Sequence, residues 1–198
     1  MKVLVVQAHP TMEKSVVNKE MLSYLEGKDD VTVRRLYDLY PDWQIDKDQE
    51  QAACEAADRI VIQFPFYWYN MPALMKKWFD EVFEYNWAFG PEGDRLKNKE
   101  FLAAITIGGP DWSYQAGEYN TFAVSEFLKP IQQTAILSQM KYRKPFRVHD
   151  SVRVGLTNDS DELSSIAKAY YDHITDPLLD PEKKLEALNK EVADQGRE

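Results

Sequence analysis

Cysteine is nearly absent: Cys54 is the only one in 198 residues, so no intrachain disulfide can form. Its setting, Gln51-Ala-Ala-Cys54-Glu-Ala-Ala, reads as helix, where the thiol is expected to pack as a small apolar group. Histidine is scarce as well. His9, His149 and His173 show no metal-ligand spacing, so no metal site is expected. There is no Gly-x-Gly-x-x-Gly and no P-loop Gly-Lys-Ser/Thr, which disfavours a Rossmann dinucleotide fold and a nucleotide triphosphatase. Gly-x-Ser-x-Gly is missing too, and with it the elbow of a serine hydrolase. No apolar run approaches the roughly 18 residues that span a bilayer. The Val3–Val6 run is far too short for a secretory signal. The expectation is a cytoplasmic enzyme or binding protein. Positive charge is in deficit, with 24 basic against 33 acidic residues and a net charge of -9. That speaks against a nucleic-acid partner and against docking on anionic lipid.

What is present alternates between two periodicities. Lys2–Gln7 is a continuous β-branched run of the kind buried on both faces of a parallel sheet. Val31–Leu36, Arg59–Phe64, Glu100–Ile107 and Lys144–His149 read as further strands. Helices are expected at Ser15–Glu26, Asp46–Ala57, Pro72–Phe83, Thr121–Met140 with an interruption at Pro130, Asp159–Ile174 and Pro181–Ala193. This is an α/β chain, and five βα units of this length fit a flavodoxin-like fold with a five-stranded parallel sheet of order 2-1-3-4-5. The expected organisation is one domain over residues 1–176 and a charged helical tail over 177–198. In the tail, Leu185, Leu188 and Val192 are candidates to dock one face.

In that order the winding reverses between strands 1 and 3, and ligands bind beyond the carboxyl ends there. Three loops therefore matter. The first, 8–15, leads into a helix that Ser15 can cap, and the free amides of a helix start suit a phosphate. Ser15, Val16, Val17 and Asn18 are the candidate donors, with His9 or Lys14 adding charge; an ordinary capped helix is the alternative. The second loop carries Pro65, Phe66, Tyr67, Trp68 and Tyr69 between a buried strand and a helix. Its backbone polar groups need partners, and a heteroaromatic ring would supply them. The aromatics alternatively plug the sheet end. The third loop runs from Thr106-Ile107-Gly108-Gly109 to Tyr114 and Tyr119. Its glycines permit close approach of a ligand, and its phenols can donate to a developing anion.

Together these segments resemble a known family. Ala8-His9-Pro10 with Ser15–Asn18, then Phe64–Trp78, Asn86–Gly90, Thr106–Gly109, Tyr114–Gly117 with Asn120, and Pro145–His149 follow in the order found in flavodoxin-like NAD(P)H:quinone oxidoreductases. The chain looks closest to the short bacterial branch that includes general stress protein 14, modulators of drug activity and the potassium-efflux accessory reductases. The resemblance implies FMN, or alternatively FAD, with NAD(P)H as co-substrate. It implies two-electron hydride transfer through the flavin to a quinone-type acceptor by a ping-pong scheme. His9, Ser15, Val16, Val17 and Asn18 would hold the phosphate region. Pro65, Phe66, Tyr67, Trp68 and Tyr69 would line the isoalloxazine, and Thr106, Ile107, Gly108 and Gly109 its pyrimidine side. Tyr114 and Tyr119 would be the catalytic pair; members often carry histidine at the place of Tyr119. Enclosure by Tyr67, Trp68 and Trp112 would exclude water. The family pattern also implies a homodimer, with residues 84–98 available for subunit contact. Two other readings are a regulatory partner of a membrane potassium-efflux antiporter and a flavodoxin-type electron carrier.

Overall fold

Strand β1 (Val3–Gln7) is buried at every residue, and so is β3 (Arg59–Pro65) beside it. With β2 (Val31–Arg35) and β4 (Glu100–Thr106) they form a parallel sheet in the order β2-β1-β3-β4. The computed structural model describes residues 1–195. The fifth position beside β4 is filled by two short strands, β5 (Lys141–Tyr142) and β6 (Phe146–Val148). A single strand over Lys144–His149 was the expectation. Pro145 breaks it, because proline has no N–H to give a ladder and is tolerated at a sheet edge.

Alternate residues of the central strands enter two cores, as a pleated strand buried on both faces requires. Leu4, Ile60, Ile62, Phe101 and Ile105 pack with Cys54 of α3 (Lys47–Ala56), Trp78 of α4 (Ala73–Val82) and Ile131 of α6 (Lys129–Leu137). Val3, Val5, Val61 and Leu102 meet Met21 of α1 (Val16–Ser23) and Tyr170 of α8 (Ser160–Thr175). Burial pushes the Cys54 thiol well above its ordinary range, which leaves it unreactive. The helix expected over Thr121–Met140 is two helices, α5 (Val124–Phe127) and α6. The break falls at Leu128, and Pro130 sits in the first turn of α6, where its missing N–H costs nothing. Two short helices had no counterpart in the sequence reading: α2 (Leu36–Leu39) and α7 (Ser151–Thr157). The connection 84–98 packs inward through Ala88 and Leu96, while Tyr85 stays exposed. Among the described residues no helix is long and apolar enough to cross a membrane.

A buried carboxylate closes the α3 side. Glu50 accepts from Tyr40 Oη at 2.7 Å, from Arg34 Nε at 2.6 Å and from Trp78 Nε1 at 2.8 Å. Desolvation, and the bond to Glu50, push the Tyr40 phenol up to about 12.

The tail is tied to the start of the sheet by a second polar cluster. Fully buried Arg59 donates Nε to Glu100 Oε2 at 2.8 Å, and Nη1 to the Ile174 carbonyl at 2.7 Å. The other Glu100 oxygen accepts from Arg143 Nε at 2.7 Å, and Arg143 Nη2 reaches Asp180 Oδ2 at 2.6 Å. Beyond Asp180, α9 (Pro181–Asp194) buries none of its residues. Leu185, Leu188 and Val192 remain exposed, so the expected docking of that stripe does not occur within the chain. The helix holds its shape through its Asp180 cap and its own backbone ladder.

Glu100→Ala leaves two arginines without their shared partner. It should lower the unfolding free energy by about 3–5 kcal/mol, the usual cost of breaking a buried pair from one side. Urea melts measure it, and a loss below about 1 kcal/mol would contradict this role.

Candidate functional site

At the carboxyl end of β1 the chain turns through His9 and a 3-10 turn (Met12–Lys14) into α1. Ser15 caps that helix, its Oγ accepting from the Asn18 amide at 3.3 Å. The amides of Val16 and Val17, in the first turn, have no partner among the described residues. Asn18 is buried and wired inward. Its Nδ2 donates to Ser15 Oγ and to Thr106 Oγ1, at 3.1 and 3.0 Å. Its Oδ1 accepts from Gln63 Nε2 at 3.1 Å, and Gln63 Oε1 accepts from Tyr170 Oη at 3.0 Å. One polar thread thus joins α1, β3, β4 and α8 beneath the strand ends. Burial pushes the Tyr170 phenol far up, so it stays a donor. Burial lowers the His9 pKa, against the charge of Glu13. The Thr11 amide donates to His9 Nδ1 at 3.2 Å, which assigns the proton of the neutral ring to Nε2.

The aromatic loop is a tight turn. The Asn70 amide donates to the Tyr67 carbonyl at 3.1 Å, and Trp68 and Tyr69 between them have φ of 51° and 64°. Two left-handed central residues define a type I′ turn, a shape normally taken by Asn-Gly. Two large L-residues in that region are a strained choice. The Phe66 amide donates to Thr106 O and the Tyr67 amide to Pro65 O, whereas those of Trp68 and Tyr69 have no partner among the described residues. The unspent donors are therefore at 68 and 69, and the side chain of Trp68 is 93% exposed. A proline at 68, which would delete one of these N–H groups, would also break the turn, because its φ is fixed near -65°.

After β4, residues 107–109 are laced to the segment that follows β6. The Ile107 amide donates to Val148 O at 2.8 Å, the Ser151 amide to Ile107 O at 2.9 Å and the Asp150 amide to Gly109 O at 3.1 Å. This lacing delivers α7 to the site. A Cβ on Gly108 would stand 3.4 Å from Val152 Cγ2, and one on Gly155 would stand 3.8 Å from Val16 Cβ.

These pieces surround one open cleft of about 550 Å³. Of the expected residues it brings together His9, Ser15, Val16, Val17 and Asn18 on one side. Pro65, Phe66, Tyr67 and Trp68 form the other side, with Thr106 and Gly108 between. Its basic lining groups are His9 and Lys14, and among the described residues no carboxylate lines it, in a chain of net charge -9. Ser151, Val152, Gly155 and Leu156 also line it and were not foreseen. Their one signal in the sequence is the pair Asp150 and Asn158, which flank α7 with φ of 53° and 49°.

Five expected residues stand outside the lining. Tyr69 stacks on Phe127 at 5.1 Å and donates to Asn120 Oδ1 at 3.1 Å. Ile107 is fully buried in the core, and Gly109 lies against Tyr114 and Asn120. The Tyr114 ring sits among Phe66, Phe127 and His149, its pKa raised by burial and by neighbouring Tyr69 and Tyr119. Tyr119 is exposed and edges onto Trp112, 5.7 Å between centroids. The chain alone therefore does not wrap the cleft, since Tyr67, Trp68 and Trp112 are all exposed. His149 packs beneath the third loop. Its Nδ1 is 3.3 Å from Gly109 O, and its Nε2 lies 2.9 Å from Asp111 Oδ1 but out of hydrogen-bonding alignment. Burial outweighs Asp111 and lowers its pKa.

A family described as a flavodoxin-like fold matches residues 1–174. An uncharacterized NAD(P)H oxidoreductase of Bacillus subtilis, YdeQ, is 44% identical over 97% of this chain and 95% of its own length. KefF of Enterobacter sp., an ancillary protein of a glutathione-regulated potassium-efflux system, is 38% identical over 88% of this chain and 96% of itself. Among solved structures, general stress protein 14 of Treponema denticola in complex with FMN superposes with a TM-score of 0.82. It is 35% identical and covers 88% of this chain and 98% of its own. An NADPH-quinone reductase of P. pentosaceus superposes at 0.80 with 28% identity, over 89% and 99% of the two chains.

Trp68→Gly should preserve the stability of the ligand-free protein or raise it by up to about 1 kcal/mol. Left-handed backbone costs an L-residue about 1–2 kcal/mol, while glycine adds roughly 0.5–1 kcal/mol of chain entropy. A urea melt showing a loss above about 1 kcal/mol would count against a strained turn.

Proposed function

This chain belongs to the flavodoxin-like fold family, and on that premise we propose that it is a flavin-dependent NAD(P)H:quinone oxidoreductase. One observation carries the reading. A single cleft without lining carboxylates is bordered by residues with unspent amides, Val16 and Val17 at a helix start and Trp68 at a strained aromatic turn. That pattern suits a molecule with an anionic end and a planar end rich in acceptors. FMN, present in the Treponema relative, has both; FAD is the alternative.

The fit assigns roles to the chain's own atoms. The Val16 and Val17 amides, Ser15 Oγ and the Nε2–H of His9 hold the phosphate, assisted by the partial positive charge of the helix start. Lys14 adds a full charge at the rim. Asn18 is spent inward, so it positions Ser15 and Thr106 while lining the cleft. The amides of Trp68 and Gly108 would donate to the acceptors of the ring edge, and Pro65, Phe66 and Tyr67 would exclude water from one side. Thr106, Ile107 and Gly109 fix the backbone beneath. A bound flavin supplies two-electron transfer between a nicotinamide and a second acceptor. Tyr114 keeps its phenolic proton, since its pKa is raised, and is the hydrogen-bond donor to the acceptor. Tyr119 is a second donor, at the exposed rim.

A second copy of the chain completes the site. Trp68 at the cleft and Trp112, Tyr119 and Phe122 in and after the third loop are all exposed, and exposed aromatic surface of this kind marks an interface. Sedimentation of the flavin-loaded protein should give a homodimer, and Trp68→Asp should shift it toward monomer. A monomer at micromolar concentration would rule this out.

The likeness to KefF favours a second reading, in which the protein also acts as an accessory of a membrane potassium-efflux transporter. One assay separates the two. The purified protein should be yellow, release FMN by mass on extraction, and oxidise NADH or NADPH steadily with a soluble quinone. Ser15→Ala should weaken FMN binding by roughly tenfold, about the worth of a cap and one charge-assisted bond. Turnover that is negligible until an antiporter is added would make the accessory role primary. Protein that stays colourless with added flavin would end both readings.

A further inference from the structure

A second cleft, of about 460 Å³, opens at the opposite end of the sheet, where the strands begin. Lys97 and Lys99 reach it from the segment before β4, Lys141 from β5 and Lys183 from α9. The lysine ion pairs among the described residues involve Lys47, Lys76, Lys77, Lys129 and Lys168. None of the four lysines at this cleft takes part in one. Lys99 is held by the carbonyls of Glu55 and Ala57, at 2.7 and 2.6 Å. Of the three carboxylates that line it, two are bound by arginine and Asp58 keeps its charge, so four lysines and Arg143 stand against three acids. Glu100 is shared by Arg59 and Arg143, Asp180 is bound by Arg143, and Asp58 accepts from the Lys2 amide at 2.7 Å.

Arg143 is the most telling group. Its side chain is only 7% exposed, and Nε and Nη2 are bonded, yet Nη1 donates to no described residue. Nη1 is not sealed from solvent either, and the residue lines this cleft. A buried guanidinium with an unspent nitrogen, ringed by unpaired lysines, is a concentration of positive charge in a chain of net charge -9. Like charges held together raise their own energy until a counter-ion arrives. Lysines act as point charges and an arginine fork fixes direction, a combination that suits phosphoryl oxygens.

We propose that this cleft binds a soluble, multiply charged phosphate compound, a polyphosphate or a phosphate ester, independently of the flavin cleft. Spacing several cations around one depression favours an anion with several phosphoryl groups over a single carboxylate. The walls join β4, β5 and α9, so an occupant would bridge the sheet to the tail.

The test is calorimetric titration of inorganic tripolyphosphate into the full-length protein with saturating FMN, at matched ionic strength. Saturable binding is expected, weakened roughly tenfold or more in Lys97→Ala/Lys141→Ala and unchanged in Ser15→Ala. These two lysines are exposed, so the variant should melt like the parent. Three results would overturn the proposal: no saturable heat, equal affinity in the double variant, or loss of binding in Ser15→Ala, which would put the anion in the flavin cleft. Binding to vesicles containing phosphatidic acid without binding to tripolyphosphate would overturn it as well.

Discussion

When a parallel strand stops, the amides that follow lose their ladder and must find partners elsewhere. In this chain β1, β3 and β4 stop side by side, so three sets of such amides gather at one edge. Lacing to other loops satisfies some: Phe66 by Thr106, Ile107 by Val148, Asp150 by Gly109. Those of Trp68 and Tyr69 are left over, and the free first-turn amides of Val16 and Val17 add to them. Val16, Val17 and Trp68, whose amides are among these, line one cleft. Beneath them the thread Asn18–Gln63–Tyr170 holds helix and strand ends in register, so that the free donors have fixed positions.

The parts of the fold readable from sequence are those where burial acts on both faces. β1, β3 and β4 announce themselves as apolar runs, and their order followed from the alternation with helices. The fifth strand was harder, because an edge position tolerates Pro145 and splits in two. The cap at Ser15 was readable from residue type. The conformation of the aromatic loop was not, because a type I′ turn signals itself through Asn-Gly, and here Trp68-Tyr69 adopts it. What the sequence conveyed was only that four aromatics stood where they should be costly. α7 was invisible for another reason. Seven residues carry little periodicity, and its place over the cleft is fixed by backbone lacing to residues 107–109. The exposure of Tyr119 also could not be read, since it depends on how the third loop folds back through Asn120 and Ser113.

The two ends of the sheet divide the electrostatic work. Acidic side chains outnumber basic ones overall, yet none lines the cleft at the carboxyl end, where helix amides supply a partial positive charge. At the amino end lysines and Arg143 supply full charges. A dipolar device suits a ligand that must be oriented by donors in fixed positions. A cluster of solvated cations suits one captured mainly by its charge. The same fold thus presents two kinds of attraction at opposite poles, with the buried Arg59–Glu100 pair on the side of the second.

The turn at 68 and 69 has a bearing on how the mouth of the cleft can change. Trp68 shapes the turn through its backbone, and it lies almost wholly outside the chain's own packing. Its amide is held by the turn, whatever projects from Cα, provided the left-handed geometry is met. Within one chain, replacement of this side chain is therefore uncoupled from the packing around it. Exchange of Trp68 for another residue tolerant of that geometry, such as asparagine, rewrites the mouth of the cleft while leaving its floor in place. The shape of the mouth can in this way change while the fold of the single chain stays as it is.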